Sequence, residues 1–425
     1  MQLTAQQWLV YEITDSPLLL GVLSTMQYMP SLLFTLWTGF WIDRHKKKSI
    51  LLGTQLMYML QAFLLGLILW SGHTDYYWIL LLAFFLGTID CIDLPARMAF
   101  MPYLVGTQYL KSAVSLNSTN FNITRMLGPI LAAFLLSYLS YSTLFFLNAL
   151  CLIPIIIVYL HIKVDEPQNH TILNDIMGEI KAGLRYTLHH KVILSNLLAV
   201  AVVSGLILNF GTYGPPFADR VLHAGLNGFS KILFSVGTGS MIGGLISASG
   251  ISKPKQTLPF YSALLCGLCL IIISQTNSLY PALLLYAGIG FTAIISIVNF
   301  NTIIQFSTER SYLGRIMSLY ALVFLGATPF GSLIVSSIIE YSGTSNGLLS
   351  IGLLDIMFIL LIKYLYHTTL FKINVSFSQN FINYLGRRIP LYKRKYSDFP
   401  RILFSNNILH TIVAAFYQNI RFQTF

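Results

Sequence analysis

Charged residues are scarce in this chain of 425 residues, since Asp, Glu, Lys and Arg together make up 10% of it. A soluble domain carries about 25% charged residues, which cover the surface that faces water. Here 55% of the residues are hydrophobic, and the mean hydropathy is +0.68. The scarcity of charge therefore excludes an ordinary soluble protein and favours a membrane protein.

Cysteine is also rare, and motifs of cofactor chemistry are missing. The four cysteines all fall in apolar runs, and Cys266 and Cys269 form a CxxC without a second pair or a nearby histidine. We interpret this pair, and the glycines between Gly237 and Gly244, as helix packing rather than as metal or nucleotide binding. Nothing resembles a phosphate loop or a nucleophile–base pair. The sequence therefore predicts no cofactor, no metal and no enzyme activity.

Apolar runs of about 20 residues recur along the chain, and this length spans a hydrocarbon core of about 30 Å. Residues 1–14 are shorter, because a 14-residue helix reaches only about 21 Å. We expect them to be the outer half of a first span whose beginning is missing. The full spans that hydropathy predicts are 18–40, 50–71, 77–99, 112–137, 143–163, 192–213, 228–250, 257–275, 280–302, 315–338 and 345–366.

Lys and Arg concentrate on alternate connections between these spans. Arg44 and the lysines from Lys46 to Lys48 follow the first full span, whereas the opposite connections are nearly free of cations, with Arg220 as the exception. Basic loops stay in the cytoplasm, so we expect a multi-pass protein of the bacterial inner (plasma) membrane with a cytoplasmic C-terminus. The net charge of +11 therefore reflects topology and does not indicate nucleic-acid binding.

A long basic connection divides the spans into two sets. We predict an N-terminal helical bundle at 1–163, a cytoplasmic amphipathic linker at 164–191, a C-terminal bundle at 192–366 and a basic tail at 367–425. The linker is either a helix on the membrane surface or a simple tether. The tail is either lipid-binding or disordered. The apolar residues that repeat every fourth position in the linker are Ile172, Ile176, Ile180, Leu184 and Leu188.

The two sets resemble one another in sequence. The segment 110–116 aligns with 313–319 at an offset of 203 residues, and the same offset places Gly128 on Gly331. Parallel repeats of this kind are typical of secondary transporters.

The connection after the first full span carries a recognisable motif. Its sequence from Gly39 to Lys48, GFWIDRHKKK, resembles the G-x-x-x-D-R-x-G-R-R/K signature loop of the major facilitator superfamily, with Lys46 in place of the second glycine. The resemblance implies that Gly39, Asp43 and Arg44 form a gating loop that holds the two halves together in the outward-open state. A charge cluster that only fixes topology is the alternative.

Further stretches are similar to one branch of this superfamily. They include QQWLVY at 6–11, DLPAR at 93–97, GRIMSLY at 314–320 and PFG at 329–331. They resemble the enterobactin-exporter-like branch, also called the transmembrane secretion effector family, over residues 1 to about 366. The resemblance implies an all-α membrane protein with the major facilitator fold: two six-helix bundles related by pseudo-twofold symmetry. In that branch the chain normally begins about 30 residues earlier, so the first helix is expected to be truncated here.

A few ionisable residues lie at bilayer depth. Arg125 falls near the middle of its span, where a cation costs roughly 3 kcal/mol or more unless a partner or water meets it. Asp90 lies at similar depth, and Asp93 and Arg97 share one helical face because they are four residues apart. Such a set predicts either a proton relay or a static buried pair. Asp355 is the remaining acid in mid-span, and it is a candidate to line the cavity or to bind protons.

Two helix hinges and a polar cavity are also expected. Gly128 and Pro129 resemble the antiporter signature G-P-x-x-G-G, although alanines replace its last two glycines. Pro329 and Gly331 are the hinge candidates in the second half. Sparse polar residues are predicted in an otherwise apolar and aromatic cavity, namely Asn120, Asn209 and Asn299.

These features together predict a secondary active transporter. We expect a proton-coupled exporter of a siderophore or amphipathic drug-like compound, which works by alternating access as a monomer in the lipid bilayer. Its partners would be small-molecule cargo and protons. The alternative is a truncated, non-transporting remnant or a membrane sensor. A lipid-modifying enzyme would need His, Asp or Ser clustered at one membrane interface, and the sequence has no such cluster.

Overall fold

The structure of the protein, a computed structural model, describes residues 1–72, 75–162, 164, 176–248, 256–309 and 312–364. These residues belong to one compact unit, Met1–Tyr366. Within its helices the side chains of Asp43 and Arg125, among others, are not described. The described part is almost entirely helical and contains no strand, which confirms the predicted all-α class.

The helices follow the predicted spans closely. The first set is α1 (Gln2–Thr14), α2 (Pro17–Arg44), α3 (Lys47–Trp70), α4 (Tyr76–Val105), α5 (Leu110–Leu136), α6 (Tyr141–Leu150) and α7 (Ile153–His161). A connecting helix, α8 (Ile176–His189), comes next. The second set is α9 (Lys191–Val202), α10 (Phe210–Pro216), α11 (Gly225–Ala248), α12 (Leu258–Ser274), α13 (Leu279–Ser307), α14 (Leu313–Ser342) and α15 (Thr344–Tyr364). We call α1–α7 the first bundle and α9–α15 the second bundle.

Nine helical segments in the described residues are long and apolar enough to cross a membrane. Shorter apolar helices at Met126–Leu136, within α5, and at α12 occupy two further predicted spans. The first half of α5 is more polar because it contains Lys111 and several asparagines. All eleven predicted full spans thus coincide with helices.

Local chemistry fixes several helix ends. Ser16 caps α2, since its hydroxyl accepts a hydrogen bond from the Leu19 amide at 3.4 Å, and Pro17 occupies the first helical position. α14 ends at Gly343, where φ is +81°, a conformation that glycine adopts readily.

The two faces of the protein are named from the connections at the two ends of α2. The outer face is where α1 meets α2, and the basic face is where α2 ends at Arg44 and α3 begins at Lys47.

Two predicted spans are interrupted. The span predicted at 192–213 continues to Val221, and it contains π-helical turns at Val203–Ile207 and Phe217–Val221 on either side of α10. Pro215 and Pro216 end α10 directly before the second of these turns, and proline has no amide hydrogen to donate, so the helical hydrogen-bond ladder is interrupted there. The span predicted at 143–163 divides into α6 and α7 just before Pro154 for the same reason.

The connecting helix α8 packs on the basic-face end of α14. The rings of Tyr186 and Tyr312 stack with their centroids 4.3 Å apart, and the Tyr186 hydroxyl accepts a hydrogen bond from the Glu309 amide at 3.3 Å. Leu184 and Leu188 are exposed on another side of the helix. The remainder of the predicted linker, 165–175, and the predicted tail, 367–425, lie outside the described residues.

The two bundles meet along two seams. α2 packs on α14, and α5 packs on α11. When α1 is counted as a span, the second span of each bundle therefore contacts the fifth span of the other. The pairing agrees with pseudo-twofold symmetry. α5 and α14 begin at Leu110 and Leu313, which is the offset of 203 residues seen in the sequence. The predicted domain boundaries remain predictions.

Candidate functional site

Asp93 is a buried acid at the interface of α3 and α4, in the half of α4 that leads to the basic face. The residue is 2% exposed. One carboxylate oxygen accepts hydrogen bonds from the Thr54 hydroxyl at 2.7 Å and from the Gln55 amide at 3.0 Å. A buried charge is tolerated when it is hydrogen-bonded and paired, and these donors meet the first condition.

Arg97 meets the second condition. It follows Asp93 by one turn on α4, and its guanidinium forms an ion pair with the other carboxylate oxygen. The Arg97 side chain is 47% exposed, so the pair joins a buried anion to a cation that is open to its surroundings. The predicted Asp93–Arg97 juxtaposition is therefore present in the structure.

Asp90 lies one turn away from Asp93 on α4 and has its own donor. The Tyr58 hydroxyl donates to the Asp90 carboxylate at 2.5 Å. Asp90 is exposed, in contrast to Asp93. We call the two acids, Arg97 and their three donors, Thr54, Gln55 and Tyr58, the acid cluster. Neighbouring carboxylates with hydroxyl and amide donors are groups that can take up and release protons.

The donors on α3 were not predicted from the sequence. Thr54, Tyr58 and Gln61 lie four and three residues apart, so they form one polar stripe on an otherwise apolar helix. That spacing was the signal that could have found Thr54 and Tyr58, whereas Gln55 lies outside the stripe. The face of α4 that this stripe meets became known only from the structure.

A chain of side-chain amides extends the stripe into the first bundle. Asn148 donates to Gln2 at 2.6 Å, and Gln2 donates to Gln61 at 2.6 Å. Gln61 in turn donates to the main-chain oxygen of Leu82 at 3.3 Å. These bonds join α6, α1, α3 and α4, and they fix the rotation of α1 about its axis within the bundle.

Asp355 lies apart from the acid cluster, in the second bundle. It is fully buried between α15 and α12, where a side chain at Gly267 would come within 2.7 Å of its carboxylate. Neither of its carboxylate oxygens has a hydrogen-bond partner among the described residues. The structure therefore gives it no place beside Asp90 and Asp93.

The predicted cavity asparagines differ in their surroundings. Asn209, the residue before α10, is buried, and its side-chain amide donates to the carbonyl of Gly205 in the preceding π-helical turn. Asn299 donates to the Ile295 carbonyl at 2.8 Å. Asn120 is exposed on α5. That these three line a cargo cavity stays a prediction.

The predicted hinge residues all lie at helix contacts. Gly128 and Pro129 are buried in α5, and the space beside Gly128 is taken by the main-chain nitrogen of Met1. Pro329 is buried in α14, and its carbonyl accepts a hydrogen bond from Thr25 of α2 at 3.0 Å.

Gly331 allows α14 to approach the π-helical turn of the second bundle. A Cβ atom at Gly331 would lie 1.9 Å from the main-chain oxygen of Gly205, so no larger residue fits without a shift of the helices. The predicted importance of this glycine has a packing reason.

The predicted gating loop is largely helical. Gly39 lies inside α2 with open space beside its Cα, and Arg44 is the last residue of that helix and is exposed. The side chains of Asp43 and Arg125 lie outside the description. A gating role for the loop, and the proposed pairing of Arg125 with an acid, stay predictions.

The chain matches known transport proteins over most of its length. Residues 1–383 match the family described as transmembrane secretion effector. The chain is 23% identical over 359 residues to the staphyloferrin A transporter of Staphylococcus aureus (strain NCTC 8325 / PS 47), covering 77% of this chain and 83% of that protein. It is 20% identical over 354 residues to macrolide efflux protein A of Streptococcus pyogenes, covering 81% of this chain and 86% of that protein.

Solved structures support the fold. A POT family transporter in complex with 5-aminolevulinic acid superposes with a TM-score of 0.66 at 12% identity, covering 85% of this chain and 92% of that one. This likeness confirms the predicted major facilitator architecture. The family match, the helical pairing and the superposition agree, and the chain belongs to the transmembrane secretion effector family of the major facilitator superfamily.

Proposed function

We propose that this protein is a proton-coupled exporter of a siderophore or of an amphipathic drug-like compound. Family membership makes it a major facilitator transporter of the efflux type. The relatives named for staphyloferrin A and for macrolide efflux support the two cargo classes. Both cargoes are small organic molecules, and export of either would proceed by alternating access between the two bundles.

The acid cluster carries the proposal of proton coupling. Asp93 is buried, and its charge is balanced by Arg97 and by donors from α3. Protonation of this carboxylate would remove the attraction to Arg97 and release the guanidinium toward the open side. Since Arg97 is about half exposed, its position would then change the charge presented to the cargo path. Asp90 and Tyr58 offer a second proton acceptor one turn away.

The proposed orientation in the membrane follows from the charge pattern. We place the basic face in the cytoplasm of a bacterial cell, with the C-terminus on the same side and the outer face toward the exterior. Its partners are the cargo, protons and the lipid bilayer, and the working unit is a monomer.

Reconstituted protein tests the proposal. Purified protein is placed in liposomes with an imposed pH gradient, and uptake of a radiolabelled macrolide and of iron-free staphyloferrin A is followed. A dye trapped in the lumen reports proton movement at the same time. We expect one cargo to accumulate against its own gradient, with protons moving in the opposite direction. The Asp93→Asn variant should lose this movement, whereas Asp75→Asn, which alters an exposed acid at the start of α4, should retain it.

Three other outcomes would correct the proposal. Cargo movement without proton movement would remove the coupling and leave the exporter. Movement of a different cargo class would replace the two proposed classes. Absence of transport by folded protein, with cargo bound, would favour the membrane-sensor alternative.

A further inference from the structure

The connection between α1 and α2 contacts the second bundle at the outer face. Arg220 of the second bundle donates to the side chain of Asp15 at 2.8 Å and to its main-chain oxygen at 2.5 Å. Asp15 adopts a left-handed backbone conformation with φ of +44° in this short turn. Arg220 is also the cation that departs from the charge pattern of the outer connections. Its pairing with Asp15 gives this exception a structural reason.

A second contact joins the two bundles at the start of α2. Glu340 of α14 accepts hydrogen bonds from the Ser16 hydroxyl at 3.1 Å and from the main-chain amide of Leu18 at 3.2 Å. Amides in the first turn of a helix have no partner within that helix, and a carboxylate there also interacts favourably with the helix dipole. A residue of the second bundle thus caps a helix of the first.

A third contact lies beside the first. The Tyr11 hydroxyl donates to Asp219 at 3.4 Å, and the Arg220 guanidinium lies 5.8 Å from the centre of the Tyr11 ring. Tyr11 belongs to α1, whereas both of its partners belong to the second bundle. All three contacts therefore join residues 11–18 to the second bundle.

The seam between α2 and α14 continues inward from these contacts. Gly21 lies against Ser336, where a Cβ atom would come within 1.9 Å of the serine hydroxyl. Deeper in the membrane, Thr25 bonds to Pro329 at 3.0 Å and lies 3.2 Å from Ser332. The bundles are thus closed against each other from the outer face toward mid-membrane.

We propose that the three contacts form an outer latch, composed of Tyr11, Asp15, Ser16 and Leu18 in the first bundle and Asp219, Arg220 and Glu340 in the second. The latch closes the cargo path at the outer face and parts each time the cavity opens to that side. This inference rests on the proposed alternating access. It assigns to the outer face a closure distinct from the gating loop predicted at the basic face.

The contacts of the latch are individually weak. Asp15 and Arg220 are both substantially exposed, and exposed ion pairs contribute little to a folded state. The contacts hold the latch closed only through their combined free energy. A set of weak contacts can open repeatedly during transport. Loss of the Arg220 and Glu340 charges together should raise the open fraction about tenfold, which corresponds to about 1.4 kcal/mol.

Thiol labelling from the outer side tests the latch. Ser336→Cys places a reporter in the closed seam, where Ser336 is fully buried. Its reaction rate with a membrane-impermeant thiol reagent is measured in cells, with the parent chain correcting for the four native cysteines. The reporter is combined with Arg220→Gln and Glu340→Gln, and we expect labelling about tenfold faster than with the reporter alone. Ser24→Cys, a buried position 3.4 Å from Thr212, is a second reporter if the first disturbs folding.

The matched control is Glu12→Gln. Glu12 is also an outer-face acid, but it bonds to Tyr141, which belongs to the same bundle. Its substitution should leave the labelling rate unchanged. Equal rates in the double variant and the control, with both reporters, would overturn the latch. Because the readout is thiol labelling and not cargo or proton movement, this result would leave the proposed transport function intact, and a failure of transport would not alter the labelling.

Discussion

Asp93 illustrates how far single residues could be interpreted from the sequence. Its pairing with Arg97 was predicted from the four-residue spacing, because neighbours on one helical face are fixed by local geometry. Its bonds to Thr54 and Gln55 were not predicted, because they join residues almost forty positions apart. Such contacts depend on which faces of two helices meet, and hydropathy carries no information on that choice.

The Asp93→Asn substitution should abolish efflux while the amount of protein in the membrane stays within about twofold of the parent. The amide keeps the shape of the side chain, but it removes the charge that balances Arg97. Cargo retention in cells and quantitative immunoblotting of membranes measure the two quantities. The same experiment with Asp75→Asn should show normal efflux, and efflux by Asp93→Asn at more than about a tenth of the parent rate would count against the acid cluster.

The Arg125→Ala substitution should also abolish efflux without loss of the protein from the membrane. Position 125 lies inside α5, and an arginine at bilayer depth costs roughly 3 kcal/mol or more unless polar groups or water surround it. We therefore expect Arg125 to have a role in transport that offsets this cost. Cargo retention and membrane content are again compared with the parent, and normal export would remove Arg125 from the mechanism.

At the scale of helices, hydropathy located the spans well, whereas their interruptions were missed. Each predicted full span coincides with a helix, because the need to bury about 20 apolar residues in lipid is visible in one dimension. The π-helical turns on either side of α10 were not predicted, although Pro215 and Pro216 directly precede the second of them. Prolines are tolerated in membrane helices when neighbouring groups satisfy the backbone, so the sequence alone does not show whether a helix bends.

Close packing of α11 on α13 gives a test of the glycines at this scale. A Cβ atom at Gly239 would lie 1.9 Å from the main-chain oxygen of Ala287, whereas Gly244 has open space beside it. Gly239→Val should therefore destabilise the protein by about 1–3 kcal/mol through overpacking. Thermal unfolding in detergent, followed by size-exclusion chromatography, should show a lower midpoint for Gly239→Val than for Gly244→Val. Equal midpoints would mean that the crossing of the two helices adapts without cost.

For the whole molecule, the repeat in the sequence predicted an arrangement that the structure shares. α5 and α14 start at the predicted offset; α5 packs on α11 of the second bundle, and α14 packs on α2 of the first. The outer latch could not be predicted, because its residues lie in connections that become neighbours only after both bundles have assembled. The identity of the cargo cannot be predicted from the fold either, since proteins with related folds transport unrelated molecules.

Membrane orientation can be measured on the intact chain. Basic connections are retained in the cytoplasm, so a fluorescent protein fused after residue 425 should be bright, and alkaline phosphatase fused at the same point should be inactive. The reverse pattern would place the outer latch in the cytoplasm and invert the proposed direction of transport. Fusions at Gly225, at the outer end of α11, provide the opposite control.

The central claim is that the two bundles move organic cargo across the membrane at the expense of a proton gradient. Accumulation of labelled cargo in inverted membrane vesicles, energised by respiration and without ATP, measures this most directly. We predict accumulation that collapses when a protonophore is added and that is absent from vesicles containing Asp93→Asn. Vesicles with verified, folded protein that accumulate neither a siderophore nor a macrolide above the empty-membrane level would contradict the account.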